Sequence, residues 1–257
     1  MALENTWSYL HALGRSVIKP FISTQPSGTI LTEGKLSPSE FVEAGDQLIF
    51  HYPSWCWRSA NQSNMDKSLP QNKQYLELAN VGCRTRANVP EQLSENEPNA
   101  AAENDADDPD LVVVSVKENT SVGAESRLYQ ISITYDTGYA TPRLWLSGYL
   151  VSTFRPLTQY EIAEDISSEH AAKTITVLPH PFLNIPTVSI HPCRHAETMC
   201  KYISELNNQL KEQISSTDLV LSPSIYLIIF LSMLSSAIPT IEYDGGRSII
   251  PHNLMES

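Results

Sequence analysis

Aromatic residues are missing between Tyr75 and Tyr129, and from Glu91 to Asp110 lysine and arginine are missing as well. That stretch instead holds Glu91, Glu95, Glu97, Glu103, Asp105, Asp107, Asp108 and Asp110, equal to two-thirds of the formal net charge of −12. It has too little apolar surface to offset the entropy of ordering, so a flexible acidic insertion is expected at about 84–110. Cations are scarce throughout, with 17 Lys and Arg against 29 Asp and Glu. General nucleic-acid binding needs a basic face and is excluded on that ground. Cysteines number four and are not closely paired, which fits a reducing compartment better than a disulfide scaffold. Long hydrophobic runs are absent too. The most apolar stretch, Ile225 to Ile238, contains several serines and ends at Pro239, short of the ~18 residues of a spanning helix. It reads as a buried helix. The N-terminus lacks a basic segment followed by an apolar one, so no secretory signal and a soluble, cytoplasmic protein are expected. With 257 residues, 41% of them hydrophobic, a single core with insertions is the natural reading.

Against these absences stand several local patterns. Leu3, Trp7, Leu10, Val17 and Phe21 recur at helical spacing, predicting an amphipathic helix over residues 1–22. Its aromatic and its C-terminal cations suit a bilayer interface, although Gly14, Pro20 and modest charge favour simple docking on the domain. Ser37-Pro38-Ser39-Glu40 has capping-box spacing and starts a helix that buries Phe41, Val42, Ala44, Leu48 and Ile49. Tyr52, Trp55 and Trp57 read as core anchors. Tyr75 to Leu78 is a short strand, and both Tyr75-Leu76-Glu77-Leu78 and Trp7-Ser8-Tyr9-Leu10 have an aromatic-x-x-aliphatic form that strand-addition partners read. Core packing explains both better. Leu128 to Thr134 and Arg143 to Tyr149 alternate as strands around an Asp136-Thr137-Gly138 turn, and Lys173 to Leu178 forms another.

The chemistry gathers at Ile190-His191-Pro192-Cys193-Arg194-His195-Ala196-Glu197. A buried strand, Thr187 to Ile190, runs into a proline and a cysteine, and a helical stripe of Met199, Tyr202, Ile203 and Leu206 follows. A thiol at a helix N-terminus beside Arg194 meets unpaired N–H groups and positive charge, which favour the nucleophilic thiolate. A small buried apolar role is the competing reading for Cys193, as for most free cysteines. His191-x-Cys193-x-His195 is too tight for a usual zinc arrangement, so no metal and no cofactor are expected. Cys56, Cys83 and Cys200 are read as non-catalytic. Two helical turns, ~10 Å, part Cys200 from Cys193, too far for a disulfide.

His-Pro-Cys-x-His-Ala in this setting resembles the active-site segment of the autophagy-related protein 3 family. Agreeing in order are Ile133-Thr134-Tyr135-Asp136, Thr141-Pro142-Arg143-Leu144-Trp145-Leu146-Ser147-Gly148-Tyr149, Glu164-Asp165-Ile166-Ser167 and Lys173-Thr174-Ile175-Thr176. Tyr226 to Leu231 and Ile238-Pro239-Thr240-Ile241-Glu242-Tyr243-Asp244 follow, with Phe41 to Asp46 and Pro53 to Trp57 nearer the start. The resemblance implies an α+β, ubiquitin-conjugating-enzyme-like fold, with an antiparallel sheet flanked by helices over 23–257. It implies that Cys193 accepts an autophagy-related protein 8 family protein from its activating enzyme and passes it to phosphatidylethanolamine. Thr174 matches a position near the cysteine, and His191 stands beside it as a structural hydrogen-bonder. The implied N-terminal helix senses membrane packing defects, giving peripheral recruitment to autophagic membranes. The acidic insertion would engage the activating enzyme, with Leu111 to Val114 either its anchor or a core strand. That insertion looks short for the family, and the 213–222 link lacks the Trp-x-x-Leu projection of some relatives. Three alternatives remain open: a cysteine hydrolase of ubiquitin-like conjugates, a catalytically silent scaffold, and a conjugating enzyme for autophagy-related protein 12.

Overall fold

Strand-forming alternation in the middle of the chain and apolar helical stripes at both ends require a sheet with helices laid on one face. The computed structural model has that arrangement. It describes residues 22–23, 28–83, 85–87, 125–167, 174–214, 220–235 and 237–241. In chain order these form β1 (Ile22–Ser23), α1 (Gly28–Glu33), α2 (Pro38–His51), β2 (Cys56–Arg58), β3 (Tyr75–Cys83), β4 (Arg127–Asp136) and β5 (Thr141–Leu150). Then come α3 (Gln159–Glu164), β6 (Ile175–Pro179), β7 (Pro186–Ile190), α4 (His195–Ile214), β8 (Val220–Leu221) and α5 (Tyr226–Leu234). The main sheet has six antiparallel-paired strands in the order β2-β3-β4-β5-β7-β6, and β1 pairs with β8 apart from it. The expected α+β class and antiparallel sheet are observed. Residues 1–21 of the expected 1–22 helix, with Leu3, Trp7, Leu10, Val17 and Phe21, lie outside the described residues, as do Leu111 to Val114, while Ile22 begins strand β1, paired with Leu221, rather than ending a helix.

Register decides which side chains meet the helices. Leu76 pairs with Ile133 and Ile133 with Leu144, while Leu78 pairs with Ile131 and Leu146 with Val188. One face of the sheet is therefore continuous apolar surface, packed in a core with Phe41, Ala44 and Leu48 of α2, Met199, Ile203 and Leu206 of α4, and all of α5. Every residue from Tyr226 to Leu234 is buried, so the most hydrophobic stretch is a core helix. Helix α2 starts as its sequence predicts: the Ser37 side chain takes the Glu40 N–H, and Glu40 returns a carboxylate to the Ser37 N–H at 2.7 Å. Trp55 is buried, and Tyr52 and Trp57 pack at the margin of the core. Tyr75 and Leu78 are also buried within the sheet, between β2 and β4, where no further strand can be added.

The opposite face is not wet, as simple alternation in β4 would suggest. Ser132 and Thr134 are buried there. The turn between β6 and β7 folds over them and inserts His180, which is fully buried. Its Nδ1 accepts the Phe182 and Leu183 N–H groups, leaving Nε2 to donate to the Ser132 hydroxyl at 3.0 Å. Tyr75 and Trp145 close around the imidazole at ring distances of 5.4 and 5.1 Å.

The last pairing of β3 with β4 is Cys83 with Arg127, so the acidic insertion stands where a hairpin turn would be. Residues 85–87, inside the expected flexible segment, are anchored. Arg86 Nη2 donates to the Glu125 carbonyl, and its Nε lies 3.5 Å from Asp165 Oδ1. Asp165 is fully buried and also takes a 2.8 Å hydrogen bond from Arg127 Nη1 and one from the Tyr129 hydroxyl. The carboxylate thus joins both roots of the insertion to the end of α3, and the backbone carbonyl of the same residue receives Thr240 Oγ1 at 2.9 Å, holding the segment after α5. Removing one partner of a buried pair leaves the other charged and unsolvated. Asp165→Ala should therefore cost about 3–5 kcal/mol in urea unfolding. Arg127→Leu added to it should restore part of that loss. A deficit below ~1 kcal/mol, the scale of an exposed pair, contradicts the assignment.

Candidate active site

Strand β7 stops because Pro192 has no N–H to extend the ladder. His191, still extended, makes the last strand-like bond, donating its N–H to the Thr174 carbonyl at 2.7 Å. Residues Pro192–Arg194 then form one 3-10 turn that leads into α4. The His191 imidazole caps this turn: its Nδ1 accepts the Cys193 N–H at 3.2 Å, as a serine or aspartate oxygen does at an ordinary helix start. The Tyr139 ring meets the imidazole edge-on at 5.5 Å. Pro192 is buried and Cys193 is exposed. The small-buried-residue reading of Cys193 thus gives way.

The following histidine has a different task. His195 is 5% exposed, its Nδ1–H donates to the Pro142 carbonyl at 3.1 Å, and its ring meets Phe230 edge-on at 5.2 Å. It locks the first residue of α4 to β5. Burial disfavours the imidazolium and lowers its pKa to about 4. Among the described residues no carboxylate hydrogen-bonds either imidazole, so the acid-oriented base of a cysteine hydrolase is not assembled here.

Cys193 stands on the rim of a cleft of about 500 Å³, with Thr174, Ile190, Arg194, Thr198 and Met233 also in its wall. The three residues picked from sequence, Thr174, His191 and Cys193, therefore share one cleft, and their main chains are joined through the His191–Thr174 bond. Glu197 and Lys201 on the lip close an ion pair at 2.6 Å, while Arg194 makes no hydrogen bond or ion pair among the described residues. The other cysteines lie elsewhere. Cys83 is buried, its thiol pushed up to about 11 mainly by that burial, and Cys200 directs its S–H to the Leu31 carbonyl at 3.4 Å. Two contributors escaped the sequence reading. The pinning of His195 by Pro142 and the wall from α5 both come from distant segments, and no local spacing announces them.

Residues 40–245 match the family described as autophagocytosis associated protein, active-site domain. The chain belongs to the autophagy-related protein 3 family. It is 32% identical to autophagy-related protein 3 of Arabidopsis thaliana, over 91% of this chain and 94% of that protein. The proteins of the same name from Dictyostelium discoideum and Schizosaccharomyces pombe are 28% and 30% identical, over 92% and 82% of this chain and 97% and 88% of theirs. The Arabidopsis alignment spans 307 positions, more than the 257 residues present here, so that relative carries segments this chain lacks. Membership makes the protein an autophagy conjugating enzyme with a ubiquitin-conjugating-like fold.

The two buried histidines of this autophagy-related protein 3 family member set its acid stability. Burial lowers His180 as well as His195 to about 4, from the ordinary 6.5. Between those values the unfolded chain binds protons that the folded chain refuses, so stability is full above about pH 6.5 and falls as pH drops toward 4. Each histidine should withdraw roughly 2 kcal/mol by about pH 5. His195→Asn keeps a donor for Pro142 without the titration, so its urea midpoint should fall less between pH 7.5 and 5 than that of wild type. Parallel declines in the two proteins would count against the assignment.

Proposed function

We propose that Cys193 carries the C-terminal glycine of an autophagy-related protein 8 family protein as a thioester and delivers it to phosphatidylethanolamine. The observation behind this reading is the sulfur itself: exposed on a cleft rim, one residue beyond a buried proline, in the domain that the family's description calls its active site. In the first transfer the Cys193 thiolate attacks the thioester carbon on the activating enzyme, forming one C–S bond and breaking another. In the second, the lipid amine attacks the new thioester. Thioesters already react with amines, so the protein mainly has to place the reactants and stabilise the oxyanion. A general base bound to the sulfur is not required. His191 holds the Cys193 backbone, and Thr174, which lines the same cleft, is assigned a supporting role. Recruitment to the autophagic membrane is assigned to the amphipathic stripe of Leu3, Trp7, Leu10, Val17 and Phe21, and charging to an activating enzyme that grips the acidic insertion.

Wild type mixed with the charged activating enzyme should form an adduct that a reductant dissolves, and Cys193→Ala should form none. Cys193→Ser should either trap a more stable oxyester or lose lipid conjugation. Release of free ubiquitin-like protein without an adduct would instead support hydrolysis, and unchanged function in the serine variant would support a scaffold. In flotation with small, strongly curved vesicles, wild type should rise with the lipid and Trp7→Asp should stay behind. Equal flotation removes the membrane role of the stripe.

A further inference from the structure

Six arginines fall among the described residues, and five of them are ion-paired. Arg58 pairs with Glu77, Arg86 and Arg127 with Asp165, Arg143 with Asp136, and Arg155 with Glu161. Arg194 is the exception, in a chain whose net charge is −12 and where carboxylates are plentiful. It is exposed, directly follows Cys193, and lines the same cleft. The nearest acid on that lip, Glu197, is engaged with Lys201, four residues further along α4, at 2.6 Å. Below the lip the wall turns apolar, with Ile190, Met233 and Leu234. An unpaired guanidinium at the rim of a partly apolar cleft is matched to a phosphate attached to a carbon skeleton, because the planar fork binds phosphate oxygens two at a time.

We propose that Arg194 is the acceptor-specificity residue, binding the phosphate of an acceptor whose amine lies two methylenes from that phosphate. The inference rests on the thioester reading of Cys193 and says which amine that thioester prefers. With the phosphate held by the residue next to the nucleophile, the neutral amine nitrogen is carried to the thioester carbon. A C–N bond forms, the C–S bond breaks, Cys193 leaves as thiolate, and the extra proton on nitrogen passes to water. Such tethering makes the attack effectively intramolecular and costs the enzyme no base. It also discriminates by charge: an amine without the phosphate leaves the guanidinium unpaired and gains nothing from it.

The test is single-turnover discharge of the preformed thioester onto ethanolamine, O-phosphoethanolamine, glycerophosphoethanolamine, and vesicles containing phosphatidylethanolamine. Wild type should discharge onto glycerophosphoethanolamine at least tenfold faster than onto ethanolamine at equal amine concentration. In Arg194→Gln that ratio should collapse to within twofold, and Arg194→Lys, a point charge without the fork, should recover part of it. Preference for the diester and the vesicles over O-phosphoethanolamine identifies a lipid headgroup as the source, whereas preference for O-phosphoethanolamine identifies a free phosphomonoester. A wild-type ratio near one, or a ratio that survives in Arg194→Gln, overturns the proposal. So does a variant that is slowed in accepting the ubiquitin-like protein rather than in discharge, since the cleft would then hold the donor's tail. A wild-type protein that never forms the thioester removes the parent reading, and this one with it.

Discussion

The position of the sulfur depends on how strand β7 is brought to an end. In a continuing strand, residues alternate between the core face and the opposite face, and both faces of this sheet are covered near β7. Val188 and Ile190 point into the helical core, while Thr187 and Ser189 lie buried on the other side. A residue three positions beyond Ile190 would share one of those fates if the strand ran on. Pro192 prevents this by withholding an N–H and fixing φ, and the 3-10 turn lifts Cys193 to the surface within two residues. The strand's last donor is not wasted, since the His191 N–H goes to Thr174. The turn's orphan donor is satisfied by the same residue's imidazole.

Once the turn is set, the start of α4 must be held where it is. His195 bonds it to β5 through Pro142, and the Phe230 ring of α5 closes on the imidazole. From the other side α1 approaches so closely that a Cβ at Gly34 would stand 2.0 Å from the Ala196 carbonyl oxygen. Gly34 also has φ +67, which any side chain would strain. Its carbonyl accepts the Tyr226 hydroxyl at 2.7 Å, so α1, α4 and α5 meet at a single residue. The cleft wall is therefore held in place on the side lined by Met233 and Thr198.

Much of this was legible in the chain because the informative signals are local. The Ser37–Glu40 box, the Asp136 turn, the proline after Ile190 and the stripe from Met199 to Leu206 each carry their structure within a few residues. Cys193 is singled out by its place at a helix start and Thr174 only by the family resemblance, and the structure puts both, with His191, on one cleft. What sequence could not show were pairings across long separations. Asp165 gathers Arg86, Arg127 and Thr240, and His180 seals Ser132 under a turn that looks like an exposed proline-rich loop. Alternation in β4 marks one face as polar but does not say what covers it; burial of that face is decided by residues 180–185, which are brought back over the sheet by the β6–β7 hairpin.

The distribution of polar groups separates structural chemistry from reactive chemistry. Every buried ionisable group in the described core is given a partner or kept neutral: Asp165 by two arginines, His180 and His195 by burial and hydrogen bonds to hydroxyl or carbonyl oxygens. That is what a low-dielectric interior demands. At the cleft the demand is relaxed, because water reaches the rim, and there the protein exposes, side by side, a thiol and an arginine that is unpaired among the described residues. An exposed guanidinium without a carboxylate costs little in stability, since surface pairs contribute at most about 1 kcal/mol. Its charge is thereby left for whatever anion enters the cleft. An acyl thioester supplies its own reactivity, so selectivity at such a site has to come from which amine is held there, and a fixed charge one residue from the sulfur is a direct means of holding it.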